Sequence, residues 1–283
     1  MDFFFRVFNR NLQIFILLAI LFCNGNAENN GNERGIARRM IGGKEVEIQD
    51  YPFMMALYFK GDSIQDYGYF GGTFTLITSK TALGCAHILF KKKPEQFYGI
   101  IGHKDKFLGK KVHFKKLIAH PHFVGTTFLF DIGLLILNSA VSLSSSPLVP
   151  PYVQTIALPR TNIEFYSGTA VTAGWGNTGK KWNDTTRYLR TASVRIVNAS
   201  DTIYKGNPLY LTESTILTQK DGVSTMPGDS GGALIYQESD GRRVQIGILS
   251  TSQGIPGGIN VFVSTSFFLD FIKENCEGKI TFV

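Results

Sequence analysis

What most limits the fold of this chain is the way short apolar, β-branched runs recur, each cut off by turn residues before a helical period can develop. Runs over 54–59, 71–77, 97–101, 112–118 and 132–137 read as strands, and a second set follows over 169–173, 190–197, 214–217, 232–236, 244–250 and 259–263. Between the sets, residues 142–159 hold three consecutive serines and four prolines with no strand period, the composition of a linker. Short strands at this spacing predict barrels or sandwiches. Only the end changes period: Thr265-Ser266 can cap a helix through about Cys276, with Phe268, Leu269, Phe271 and Ile272 on its apolar side and Gly278 just beyond. The expected fold is all-β: two barrels, over about 54–140 and about 160–264, and a C-terminal α-helix over about 265–276.

The first 39 residues stand apart. An apolar stretch over 12–23 follows Arg6 and Arg10 and is followed by Gly25 and Ala27, which reads as a secretory signal peptide over 1–27. It is too short to span a bilayer core comfortably. Residues 28–39 are polar and close on Arg38-Arg39, as a propeptide ending at a basic cleavage site would. That leaves 40–283, 244 residues, enough for one large all-β domain or two small ones sharing a core. An apolar content of 43% excludes disorder. The net charge of 40–283 is +5, too mild to indicate nucleic acid. Cys23 goes with the leader, so Cys85 and Cys276 allow one disulfide at most and stability must come mainly from packing.

Three local patterns carry chemistry. Gly228-Asp229-Ser230-Gly231-Gly232 holds a serine on a tight turn whose N–H groups can face a developing oxyanion. His87 ends a run of small residues, and Asp131 precedes Ile132-Gly133-Leu134-Leu135. Each alone has an ordinary structural explanation: a core histidine, a turn aspartate, a tight hairpin. Their joint occurrence in the order His, Asp, Ser is much harder to obtain by accident.

With Ile41-Gly42-Gly43 after a basic residue, Gly71-Gly72, Ala86-His87 and Ala173-Gly174-Trp175-Gly176, these patterns make the chain resemble the trypsin/chymotrypsin family of secreted serine endopeptidases over 40 to about 274. The resemblance implies two antiparallel six-stranded barrels of the chymotrypsin kind. It implies Ser230 as nucleophile, His87 as general base and then acid, and Asp131 as the group that orients the imidazole. The N–H groups of Gly228 and Ser230 would form the oxyanion hole, and Ser250 would support Asp131. Cleavage after Arg39 would free an α-amino group on Met40, where the family usually has Ile, to pair with Asp229 and switch the enzyme on.

The same resemblance locates the specificity pocket. Its floor aligns with Ser224, where a trypsin-like preference for Lys or Arg would need a carboxylate; Asp221 lies three residues early. Thr251-Ser252 stands where Trp-Gly is usual and Asn260 where glycine is frequent. Apolar P1 residues are expected, large ones favoured, with an elastase-like preference for small ones as the other version. The family's half-cystine positions fall on Phe70, Ile88, Met226 and Ile255, so packing is expected to replace each bridge and both remaining thiols to be free.

The remaining signals are weaker. Lys91, Lys92, Lys93, Lys104, Lys106, Lys110, Lys111, Lys115 and Lys116 read as a solvated face or as an exosite for a polyanion such as heparin. Asn183 and Asn198 head glycosylation sequons. His103, His113, His120 and His122 match no tight ligand spacing, so no metal is expected, and the mechanism needs no cofactor. Expected partners are protein or peptide substrates, the protease that cleaves after Arg39 and protein inhibitors, with no nucleic acid and no membrane, in an extracellular setting. The reading from another class is a catalytically silent homologue that acts by binding.

Overall fold

The computed structural model describes residues 41–61, 68–144, 151–162, 166–177, 185–207 and 213–283. Residues 1–40, where the leader, the propeptide with Arg39, and Met40 are expected, and Asn183 lie outside the described residues.

Among the described residues fourteen strands run in chain order: β1 (Lys44–Glu45), β2 (Met54–Phe59), β3 (Tyr69–Leu76), β4 (Thr81–Gly84), β5 (Phe97–Ile101), β6 (Lys110–Val112), β7 (Phe114–Ala119), β8 (Gly133–Leu137), β9 (Thr169–Gly174), β10 (Arg190–Val197), β11 (Thr215–Gln219), β12 (Ala233–Gln237), β13 (Arg243–Ser252) and β14 (Asn260–Ser264). The helices are α1 (Ala86–Leu89) and α2 (Leu269–Asn275). The first sheet has the order β6-β5-β2-β3-β4-β8-β7, all antiparallel. Its edge strands β6 and β7 are one strand interrupted at His113, pairing with β5 at one end and β8 at the other, which closes a six-stranded ring. In the second sheet β9 pairs with both β10 and β12, closing a ring of β9, β10, β11, β14, β13 and β12. Thus both barrels expected from the sequence are present. Closure removes the exposed edges that an open sheet would have to protect.

The sequence pattern explains where each strand sits. Every residue of β8 is buried, and so are the first five of β2, because both strands lie mid-sheet with neighbours on either side and no solvent face. Such strands read as continuous apolar runs, whereas exposed positions enter at the rims. β1 crosses to the second barrel, where Lys44 and Glu45 pair with Thr191 and Arg190 of β10. The principal core takes residues from both barrels, including Leu83, Leu134 and Phe74 from the first and Trp175, Ala233 and Ile248 from the second. The stretch leading into the second barrel is tied to its surroundings by Ile156 N to Leu76 O at 3.0 Å, Gln245 N to Ala157 O at 3.0 Å and Leu158 N to Thr281 O at 2.9 Å.

The C-terminal helix begins at Leu269, four residues later than the capping pattern suggests. Thr265 N instead donates to Ile246 O at 2.9 Å, and the buried Ser264 and Ser266 hydroxyls bond each other at 3.0 Å, so these polar groups complete the sheet edge and do not cap the helix. Phe268, Leu269 and Ile272 turn inward. Phe268 and Phe271 pack on His120, centroids 5.3 and 4.7 Å away, and His120 stacks on Phe130 at 5.1 Å. The helix is therefore clamped to the loop that ends at Asp131. Replacing Phe268 with alanine removes a buried ring from this clamp and is expected to cost about 3–5 kcal/mol, readable as a lower urea midpoint at unchanged slope.

Candidate active site

The site lies on the seam between the barrels. Residue His87 is carried by α1, the single turn that follows β4, and Asp131 stands two residues before β8. Asp131 is wholly buried and accepts three hydrogen bonds: His87 N to Oδ1 at 2.8 Å, His87 Nδ1–H to Oδ2 at 2.7 Å and Ser250 Oγ–H to Oδ2 at 2.6 Å. Donation from Nδ1 fixes the neutral tautomer and leaves the Nε2 lone pair facing away from the carboxylate. Ser250 reaches it because the β13–β14 ladder skips from Leu249 to Thr251, making Ser250 the extra residue of a bulge that re-aims its side chain.

Two aromatic residues that the sequence reading did not single out complete this half of the site. Phe128 meets the His87 ring edge-on at 5.3 Å, and both Phe128 and Phe130 have φ 55°, a left-handed conformation costly for side chains of this size. Their cluster with Phe123 just ahead of Asp131 was the available signal. The His87 imidazole is raised above its ordinary range: burial works against the charge and is outweighed by Cys85 and the Asp131 hydrogen bond. Burial pushes the Cys85 thiol up as well.

Ser230 occupies the turn ahead of β12. Gly231 has φ +81°, and a Cβ there would sit 2.4 Å from Thr73 O, so only glycine lets the turn close. Thr73 N donates to Ser230 O at 2.9 Å and Gly231 N to Leu249 O at 2.8 Å, fixing the turn to both barrels. Among the described residues, nothing accepts from the N–H of Gly228 or Ser230, and no hydrogen bond joins Ser230 Oγ to His87. The side chain in contact with His87 Nε2 is Cys85, its Sγ 3.7 Å away.

Asp229 is wholly buried, accepting from Gly176 N at 2.8 Å and Met226 N at 3.0 Å. A Cβ on Gly176 would fall 2.4 Å from its carboxyl carbon, so the Ala173-to-Gly176 motif is shaped to admit this carboxylate. Burial raises its pKa to about 6, opposed by the two N–H donors and by Lys106. Close by in the fold, Ser224 N donates to Ile41 O at 3.1 Å, which docks the residue after Met40 against the pocket loop.

The pocket residues are cross-tied. Ser224 is buried, its hydroxyl bonded to Thr225 O at 3.0 Å, while Asp221 is exposed. Asn260 is buried and its Oδ1 accepts from Thr225 Oγ1 at 2.7 Å and Thr225 N at 3.1 Å. From the facing wall, Ser252 Oγ donates to Thr225 O at 2.9 Å. Thr251 instead lines a depression with Phe128 and Ser250. Ile88 is buried in the principal core and Phe70 packs against that core, so packing does stand in for the first missing bridge. For the second it does not, because Ile255 is 56% exposed; backbone bonds such as Gly257 N to Val223 O at 3.0 Å hold that wall. Cys85 and Cys276 are both free.

Elsewhere the lysines divide. Lys104 pairs with Glu45 and Glu47, Lys115 with Glu277, and Lys106 is buried over Phe70 with its Nζ 2.6 Å from Thr185 Oγ1. Asn198 is exposed ahead of a 3-10 turn.

With this geometry in hand, the comparisons with known proteins agree. The Trypsin family model matches residues 40–272, and the chain belongs to that family of serine peptidases. It is also 27% identical over 255 residues to the suppressor of tumorigenicity 14 protein homolog of Bos taurus, an alignment covering 83% of this chain and 28% of that relative's length.

Asp229 gives a pH signature. Its pKa is raised from 3.8 to about 6, so between these values the native state holds more protons than the unfolded state, and stability falls as pH rises. The loss amounts to about 3 kcal/mol across that window. In an Arg39→Ala precursor, Asp229→Asn should flatten this part of the stability profile relative to the parent; equal slopes would contradict the assignment.

Proposed function

We propose that the chain is a secreted serine endopeptidase made as a zymogen, which hydrolyses peptide bonds through an acyl-enzyme. The observation that carries this reading is the Ser250–Asp131–His87 hydrogen-bond chain, together with a turn packed on Cys85, the neighbour of Nε2, whose Gly228 and Ser230 N–H groups have no acceptor among the described residues. Ser230 Oγ attacks the scissile carbonyl as His87 Nε2 takes its proton, and Asp131 stabilises the imidazolium. The N–H groups of Gly228 and Ser230 receive the oxyanion, each worth on the order of 3 kcal/mol. His87 then protonates the leaving amine, and water repeats the sequence on the acyl-enzyme.

Cleavage after Arg39 is the switch in this reading. Ile41, which immediately follows the new terminus, accepts from Ser224 N on the loop that leads to Asp229, and the buried Asp229 would gain a cationic partner from the new α-amino group. Burial of an unpaired carboxylate opposes the same arrangement in the precursor. In this reading the side chains of Ser252 and Asn260, tied to Thr225, shorten the pocket and favour small apolar P1 residues over large ones.

The missing Ser230–His87 hydrogen bond keeps one second reading in play, a silent binding homologue. Apo catalytic hydrogen bonds are often long, so geometry alone does not favour it strongly. Fluorophosphonate should label Ser230 after Arg39 cleavage and leave the Arg39→Ala precursor unlabelled; correctly processed protein that resists labelling supports the binder. On a peptide panel varying only P1, Ala or Val should turn over fastest, with Asn260→Gly shifting the optimum toward Leu or Phe by 10-fold or more, on the order expected for added methylene contacts. Fastest turnover of Lys or Arg sinks the pocket assignment.

A further inference from the structure

The first barrel carries a charge distribution that peptide hydrolysis does not use. Lys60, Lys91, Lys92, Lys93, Lys111 and Lys116 are all exposed, and the stretches 91–96 and 110–116 that hold most of them contain a single acid, Glu95. We propose that this lysine ridge is a docking surface for a sulfated polysaccharide of the heparin class. The proposal stands apart from the peptidase reading, since it assigns no role to His87, Asp131 or Ser230.

The fold gathers these lysines from separate segments. Lys60 N donates to Gln96 O at 2.8 Å, which ties the residue after β2 to the 3-10 turn Pro94–Gln96, and that turn and α1 both pack beside β7, the strand of Lys116. Lys92 N donates to Leu89 O at 3.1 Å and Lys93 N to Gln96 Oε1 at 2.8 Å, so the lysine triplet is fastened on both sides. Lys92 Nζ lies 5.9 Å over the Phe59 ring, and Lys111 Nζ lies 4.2 Å over Tyr98. Phe59 and Tyr98 belong to β2 and β5, which pair with each other, so both covered rings stand on one ladder. His113, between β6 and β7, records the convergence: after partial burial, Lys60 and Lys111 are what hold its imidazole below the usual range. A ridge built on paired strands and a fastened turn is ordered before any ligand arrives, and little is lost to ordering on binding.

The chemistry of the ridge selects the partner. Among the described residues none of the six lysines is in an ion pair, whereas Lys104 is matched by Glu45 and Glu47 and Lys115 by Glu277. The six are therefore uncompensated, and exposed like charges this close attract a polyanion. Residues 54–140 contain no arginine, the side chain whose planar fork recognises single carboxylate or phosphate groups; lysine presents hydrated point charges. Nucleic-acid bases and peptide anchors also need rings or pockets to stack in, and here Phe59 and Tyr98 are covered by lysine. A linear polymer with sulfates spaced along a hydrated chain needs neither a fork nor a ring, only a fixed row of cations.

The test reads binding of a heparin dodecasaccharide to the intact protein. Affinity should fall by about 10-fold or more between about 50 and 200 mM salt, because exposed charges are screened. Lys92→Gln, Lys93→Gln and Lys111→Gln combined should weaken binding by about 10-fold, while Lys44→Gln, Lys205→Gln and Lys220→Gln combined, which remove three exposed lysines of the second barrel, should leave it within about 2-fold. Lys92→Arg, Lys93→Arg and Lys111→Arg combined keeps the charge and should bind as the parent does, which separates charge from any effect on folding. Equal losses in the two glutamine variants, binding that ignores salt, or desulfated heparin competing as well as heparin overturns the proposal. So does stronger competition by single-stranded DNA or a polyglutamate peptide, which would assign the ridge to another class of partner. Failure to bind heparin leaves the peptidase reading intact, and failure of fluorophosphonate labelling leaves the ridge intact.

Discussion

The structure turns on one buried carboxylate. Asp131 comes from the first barrel, and it holds two donors from His87 of that barrel and one from Ser250 of the second. A fully enclosed charge with one donor removed is destabilised by about 3–5 kcal/mol, so the two barrels are constrained to keep the relative placement that supplies all three donors. The bulge at Ser250, the two left-handed phenylalanines and the aromatic clamp from α2 are local costs and contacts that the arrangement draws together.

Asp229 is the counterpart across the seam. It is as deeply enclosed as Asp131, yet its described donors are two backbone N–H groups and no side chain. That difference in solvation accounts for its raised pKa and for the reading of it as the receiver of an activating charge. One carboxylate is fully satisfied and serves geometry. The other has no side-chain donor among the described residues, which is the partner that the proposed activation would supply.

The pocket and the histidine show how far single side chains reshape a shared scaffold. Asn260 Oδ1 and Ser252 Oγ both bond Thr225, which ties the facing strands to the loop that carries Ser224. Cys85, in contact with Nε2, adds a sulfur to a centre otherwise built of oxygen and nitrogen. Neither change disturbs the strand order, because both occur on side chains that leave the ladders intact.

Strand positions, the two-barrel fold and the pairing of His87 with Asp131 were legible in the sequence, because period-two burial and turn chemistry are local properties and the motif contexts are short. The sequence also placed Ser224, Ser252 and Asn260 at the pocket, through resemblance. What it could not contain were the relations made only by long-range folding. The Ser250 bulge arises from register between β13 and β14, and the start of α2 is displaced because Thr265 and Ser266 are used by the sheet. Exposure of Ile255, the ties across the pocket and the approach of Cys85 to Nε2 likewise depend on distances between segments. A sequence orders residues along one dimension, and these contacts are decided in the other two.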